Sequence, residues 1–262
     1  MSLEVTALRY SYRRHPVLTG VDLSAAEGQL VCLLGANGAG KTTLFRCVLR
    51  LLDDYGGRVS FDGTDSRRLS VRDIASRIAY VPQAHQPTFN YSVFETVLMG
   101  TNVFADRLRG PRAAEAGLAA AALETMGISC LSDRGFARLS GGERQLVLIA
   151  RALAQQSAMI VMDEPTANLD YGNQLRVMGQ ARRLAGQGYL VMLSTHSPQH
   201  ALLFADTVVV LDAGVVAACG KPGDVITAGL IRRIYGVEAE LADVATPWGA
   251  VPLIAPHVEA EP

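Results

Sequence analysis

The segment that most constrains this chain is an apolar run, Gln29-Leu-Val-Cys-Leu-Leu34, followed at once by Gly35-Ala36-Asn37-Gly38-Ala39-Gly40-Lys41-Thr42. A short apolar run closed by glycines reads as a buried strand, and Leu44, Phe45, Val48, Leu49 and Leu52 then recur at helical spacing. Strand, glycine-rich turn and helix in that order match the G-x-x-x-x-G-K-S/T phosphate loop. Small residues let backbone N–H groups converge on phosphate oxygens, and the helix start adds the positive end of its dipole. Lys41 is suited to the β- and γ-phosphates and the Thr42 hydroxyl to Mg²⁺, with Thr43 beside it in the candidate nucleotide-binding set. The glycines fall at 35, 38 and 40, which excludes the dinucleotide pattern G-x-G-x-x-G.

Two further segments carry chemistry. Met159-Ile-Val-Met162 runs into Asp163-Glu164, so a buried strand would deliver two carboxylates to the edge of a sheet. Asp163 is suited to holding Mg²⁺ and Glu164 to orienting or deprotonating an attacking water. Leu139-Ser-Gly-Gly-Glu-Arg-Gln145 is a second glycine-rich helix entry. Ser140 and Glu143 fit a capping box, but two glycines inside it weaken the helix start and leave open N–H groups for an anion.

Together these residues resemble the ATP-binding subunits of ABC transporters. The resemblance covers about residues 3–240, and Leu139–Gln145 matches the family's signature segment throughout. It implies two copies, or a copy and a close paralogue, paired head to tail. ATP would lie between the phosphate loop of one and Ser140, Gly141 and Gly142 of the other. It further implies an adenine-stacking aromatic at Tyr12 or Tyr10. Gln83 resembles the glutamine that contacts Mg²⁺ and water, Asp170 the loop that crosses to the other subunit, and His196 the switch histidine at the γ-phosphate. His15, His85, His200 and His257 match no family position.

The expected fold is α/β: a P-loop NTPase core with a mostly parallel sheet, an N-terminal antiparallel β part and a helical insert at about 84–138. Residues 1–240 would form this domain and 241–262, with Pro247, Pro252, Pro256 and Pro262, a loosely packed tail. No fused regulatory domain is expected. The 262 residues carry 24 basic and 25 acidic side chains, a net charge of −1, which disfavours nucleic acid as a partner. With 49% hydrophobic residues the chain can bury a full core, which excludes wholesale disorder. The four cysteines form no C-x-x-C pair, and Leu184–Ala205, the longest uncharged stretch, is broken by Gly186, Gly188 and Pro198.

A transport path would therefore come from membrane permease subunits. The ATPase would sit on the cytoplasmic face of the inner membrane, with a solute-binding protein engaged only indirectly. Phe89–Gly100, Asp163–Asp170 followed by Asn173-Gln174, and Tyr235-Gly-Val237 resemble importers of metal chelates and oxyanions: the iron–siderophore, haem, cobalamin and molybdate types. Ser197-Pro198 after His196 departs from the siderophore members and leans towards the molybdate type. An exporter motor, or a soluble non-transport ATPase, are the alternatives. Phe89, Tyr91 and Phe94 would either fill the insert's core or face the permease.

Overall fold

The computed structural model describes residues 1–83, 91–103 and 113–257. His85, Phe89 and Pro262, with the start of the insert at 84, lie outside them. In chain order the elements are β1 (Ser2–Tyr12), β2 (His15–Ala26), β3 (Leu30–Leu34), α1 (Lys41–Val48), β4 (Gly56–Phe61) and β5 (Thr64–Asp65). There follow α2 (Val71–Arg77), β6 (Ile78–Val81), α3 (Val93–Leu98), α4 (Ala113–Thr125), α5 (Gly141–Ala154) and β7 (Met159–Met162). The second half holds α6 (Tyr171–Gly186), β8 (Leu190–Thr195), α7 (Pro198–Phe204), β9 (Thr207–Asp212) and β10 (Val215–Gly220). It ends with α8 (Pro222–Val225), α9 (Ala228–Tyr235), β11 (Ala239–Thr246) and β12 (Gly249–Pro256).

Among the described residues ten strands form one sheet in the order β5-β4-β1-β2-β10-β9-β3-β8-β7-β6. The block β9-β3-β8-β7-β6 is parallel, and β1, β2 and β4 are antiparallel. Alternation along the parallel strands explains the layering. Leu30, Cys32 and Leu34 of β3 join one apolar cluster with α5 and α6, while Val31 and Leu33 join the other with α1 and β1. Both faces are covered, so all five β3 residues are buried, as a strand inside a parallel sheet requires. Leu44, Phe45 and Val48 bury one side of α1 on this sheet. At about 1.5–3 kcal/mol for each large apolar side chain, they fix the helix beneath its glycine loop. Of the expected insert, α3 and α4 pack on α5.

The tail differs from expectation. Residues 239–256 form an antiparallel hairpin rather than a loose segment. Its prolines are compatible with this because both strands of a lone hairpin are edges, where a missing N–H costs no ladder bond. Pro252 faces Asp243, and Pro256 faces Ala239, in register. The hairpin is fastened to α7, where Gln199 Nε2 donates to Pro252 O and Gln199 Oε1 accepts from Ile254 N, both at 2.9 Å. Among the described residues no helix is long and apolar enough to cross a membrane.

Candidate active site

Four neighbouring parallel strands, in the order β3-β8-β7-β6, end on the same side of the sheet. Each delivers one element of the site. The glycine loop follows β3, His196 follows β8, Asp163 and Glu164 follow β7, and Gln83 follows β6. The loop enters α1 through Gly40 at φ 105°, a conformation open to glycine, with no side chain capping the helix. At Gly35 a Cβ would fall within 3.0 Å of the Leu211 carbonyl of β9, so the loop must begin with glycine.

A cavity of about 380 Å³ lies over the loop. Asn37, Gly38, Gly40, Lys41, Thr42 and Thr43 line it on one side, Gln83 and Glu164 on the other. Gly35 and Ala36 contribute carbonyls beneath it: Lys41 Nζ donates to Gly35 O at 2.8 Å and to Ala36 O at 3.1 Å. Ala39 closes the turn by donating its N–H to Ala36 O at 3.2 Å.

Glu164 is the centre of the arrangement. Its Oε1 lies 3.5 Å from Lys41 Nζ, its Oε2 accepts from Gln83 Nε2 at 2.8 Å, and the same oxygen is 3.9 Å from His196 Nδ1. The Glu164 backbone has φ 47°, in the left-handed region that non-glycine residues rarely enter. Ser194 holds it there. The Ser194 hydroxyl accepts from Glu164 N at 2.8 Å and donates to Asp163 Oδ1 at 2.6 Å. Asp163 N in turn donates to Val81 O at 2.9 Å, which ties in β6. Asp163 is 2% exposed, one residue behind the cavity wall. His196 is open to solvent at 57% exposure.

Other expected residues stand apart from the cavity. Ser140 caps α5: its Oγ accepts from Glu143 N at 3.3 Å, and Glu143 Oε2 accepts from Ser140 N at 2.8 Å. These bonds hold the Glu143 carboxyl below its usual range. The first-turn N–H groups of Gly141 and Gly142 have no intrahelical acceptor. Asp170 caps α6 through Asn173 N at 2.9 Å. Tyr12 is 38% exposed at the β1–β2 turn, edge-on to Tyr10 with ring centroids 5.0 Å apart, and does not line the cavity. Tyr10 is partly buried against the apolar cluster, which leaves Tyr12 the more accessible ring. Sequence reasoning missed Val17, which lines the cavity from β2, and Ser194. Ser194 did carry a signal: a hydroxyl directly after the apolar run Leu190–Leu193, on the same buried strand, needs a partner.

Fold and site define a P-loop ATPase with a buried lysine, a strand-end acid pair and a second glycine-rich helix start. Residues 18–167 match the ABC transporter family, and the chain belongs to it. It is an ATP-binding, ATP-hydrolysing subunit of the ABC type. An ABC transporter ATP-binding protein of Haemophilus influenzae, of uncharacterised function, is 39% identical over 241 residues, 92% of each chain. The hemin import ATP-binding protein HmuV of Bordetella pertussis is also 39% identical, covering 92% of this chain and 94% of the relative. A solved structure described as an inward-facing metal-chelate type ABC transporter superposes with a TM-score of 0.87 at 26% identity, over 98% of both chains.

Proposed function

We propose that this chain powers import of a metal chelate or oxyanion, haem foremost, through a separate membrane permease. The observation that carries its motor role is the Glu164 carboxylate, held within reach of Lys41, Gln83 and His196 at the mouth of the loop cavity. The likeness over nearly the whole length to a hemin import protein supports the cargo class. The chain would lie on the cytoplasmic face of the inner membrane. Tyr91, 41% exposed beside α3, is a candidate permease contact, whereas Phe94 packs into the insert's core.

In this reading the loop N–H groups and Lys41 bind the β- and γ-phosphates, and Tyr12 stacks on adenine. The Thr42 hydroxyl, the buried Asp163 carboxylate and the Gln83 amide oxygen form a hard-oxygen donor set that fits Mg²⁺. When bound, Mg²⁺ neutralises charge developing on the phosphates. Glu164 takes the proton of the attacking water, with Gln83 fixing the carboxylate's direction and His196 donating to the γ-phosphate. Two copies pair head to tail. Ser140, Gly141 and Gly142, which line nothing in their own chain's cavity, close over the partner's nucleotide, and Asp170 crosses alongside.

The test is uptake into vesicles holding the chain and its permease. ATP inside should drive haem accumulation, and Glu164→Gln should abolish it. Accumulation of molybdate but not haem would move the cargo within the proposed class. ATP-driven export of either would overturn the import reading.

A further inference from the structure

The starts of α5 and α6 meet through one side chain. A Cβ at Gly142 would fall within 3.0 Å of the Asn173 amide, 2.8 Å from Nδ2 itself. That amide cannot swing aside freely, because Asn173 Nδ2 donates to Asp170 Oδ2 at 2.6 Å. The next residue reinforces the same loop: Gln174 Nε2 donates to Leu169 O at 2.9 Å. A Cβ at Gly141 would also lie 3.3 Å from Leu169 Cδ2. Two adjacent α6 side chains thus brace residues 169–170, and one of them also fills the space against the Ser140–Gly142 turn. The Asn173 bonds, backbone first, hold the Asp170 carboxyl below its usual range, so the acceptor stays charged and the amide bond is charge-assisted.

We propose that Asn173 is a positioning residue that locks the Ser140–Gly142 turn and the Asp170 loop into one unit facing the second copy. This rests on the head-to-tail dimer proposed above. Removing the side chain leaves the backbone cap of α6 intact, because Asn173 N still donates to Asp170 Oδ1. The phosphate loop of the same chain lies elsewhere and keeps all its contacts. The defect should therefore appear in association of the two copies and not in nucleotide binding by one.

The experiment adds Asn173→Ala to the Glu164→Gln protein and follows ATP-dependent dimerisation by analytical ultracentrifugation. Association should weaken by up to about tenfold, the cost of re-forming on pairing an arrangement that one charge-assisted hydrogen bond otherwise holds in the free chain, while ATP affinity of the monomer stays unchanged. Asn173→Asp keeps the size and loses the donor, and should weaken association in the same direction. Unchanged association in both variants, or an equal loss of monomer ATP affinity in both, would overturn the inference and leave the dimer standing. A Glu164→Gln protein that stays monomeric with ATP would overturn the dimer reading and this inference with it.

Discussion

Lys41 Nζ and Glu164 Oε1 face each other across 3.5 Å, with the side chains 5% and 15% exposed. The ammonium is also anchored by the Gly35 and Ala36 carbonyls, so its position is set by the loop and not by a flexible stem. Cation and carboxylate therefore share one small, poorly solvated space. That proximity makes their separate roles testable.

Lys41→Ala should weaken ATP binding by about tenfold to a hundredfold, the usual effect of losing a hydrogen bond between charged groups. Titration calorimetry with ATP checks this. Wild-type affinity in the variant would remove the loop from the binding site.

Glu164→Gln should lower turnover by about 10²–10⁴, the typical worth of general-base catalysis. The amide oxygen can still accept from Gln83, and Lys41 keeps its two carbonyl partners, so nucleotide binding should survive. A steady-state phosphate-release assay decides it. Near wild-type hydrolysis would shift the base to His196.

Gly35→Ala should destabilise the fold as well as the site. The new methyl meets the Leu211 carbonyl of a central strand, which cannot yield. Overpacking of about 1–3 kcal/mol corresponds to a Tm lower by about 2–12 °C in a chain of this size. Differential scanning fluorimetry without nucleotide would show it, and an unchanged Tm would contradict the geometry.

His200 predicts an acid-sensitive stability. Burial, and secondarily the neighbouring His196, push its pKa below the ordinary 6.5. The unfolded chain then binds more protons than the folded one between the two values. Its contribution is fully present above 6.5 and is lost as pH falls through that value towards the folded one. His200→Leu should flatten this slope in urea denaturation compared at about pH 8 and about pH 5.5. An identical slope in the variant would assign the acid sensitivity to other groups.

Gln199→Ala should free the C-terminal hairpin without touching the ATPase. Two hydrogen bonds to Pro252 and Ile254 are lost, worth about 1–3 kcal/mol together. Hydrogen exchange over 239–257 should accelerate while ATP affinity holds. Unchanged exchange would mean that the apolar contacts of Ile254 alone suffice.

The residues legible in the sequence were those whose chemistry admits few substitutes: the glycine loop with Lys41, the acid pair after an apolar strand, and Gly141-Gly142 behind their Ser140 cap. Val17 was illegible because a wall needs only shape, and many apolar residues supply it. The hairpin at 239–256 was illegible because its prolines, which exclude an interior strand, are indifferent at an edge. The resemblance implies an adenine-stacking aromatic at Tyr12 or Tyr10, a choice the sequence leaves open. The structure leaves Tyr12 beside the cavity and not in its wall, since β-strand register and not spacing decides where a side chain emerges.

Ser194 has a consequence for motion. One hydroxyl spans the neighbouring acids, and the Asp163 amide reaches the end of β6, so three strand ends behave as a single rigid anvil. Gln83 and His196 approach that anvil from beyond their strands, each towards the same Glu164 oxygen. In the proposed reading the carboxylate is the fixed part, and any change in where the amide or the imidazole sits is felt at one oxygen.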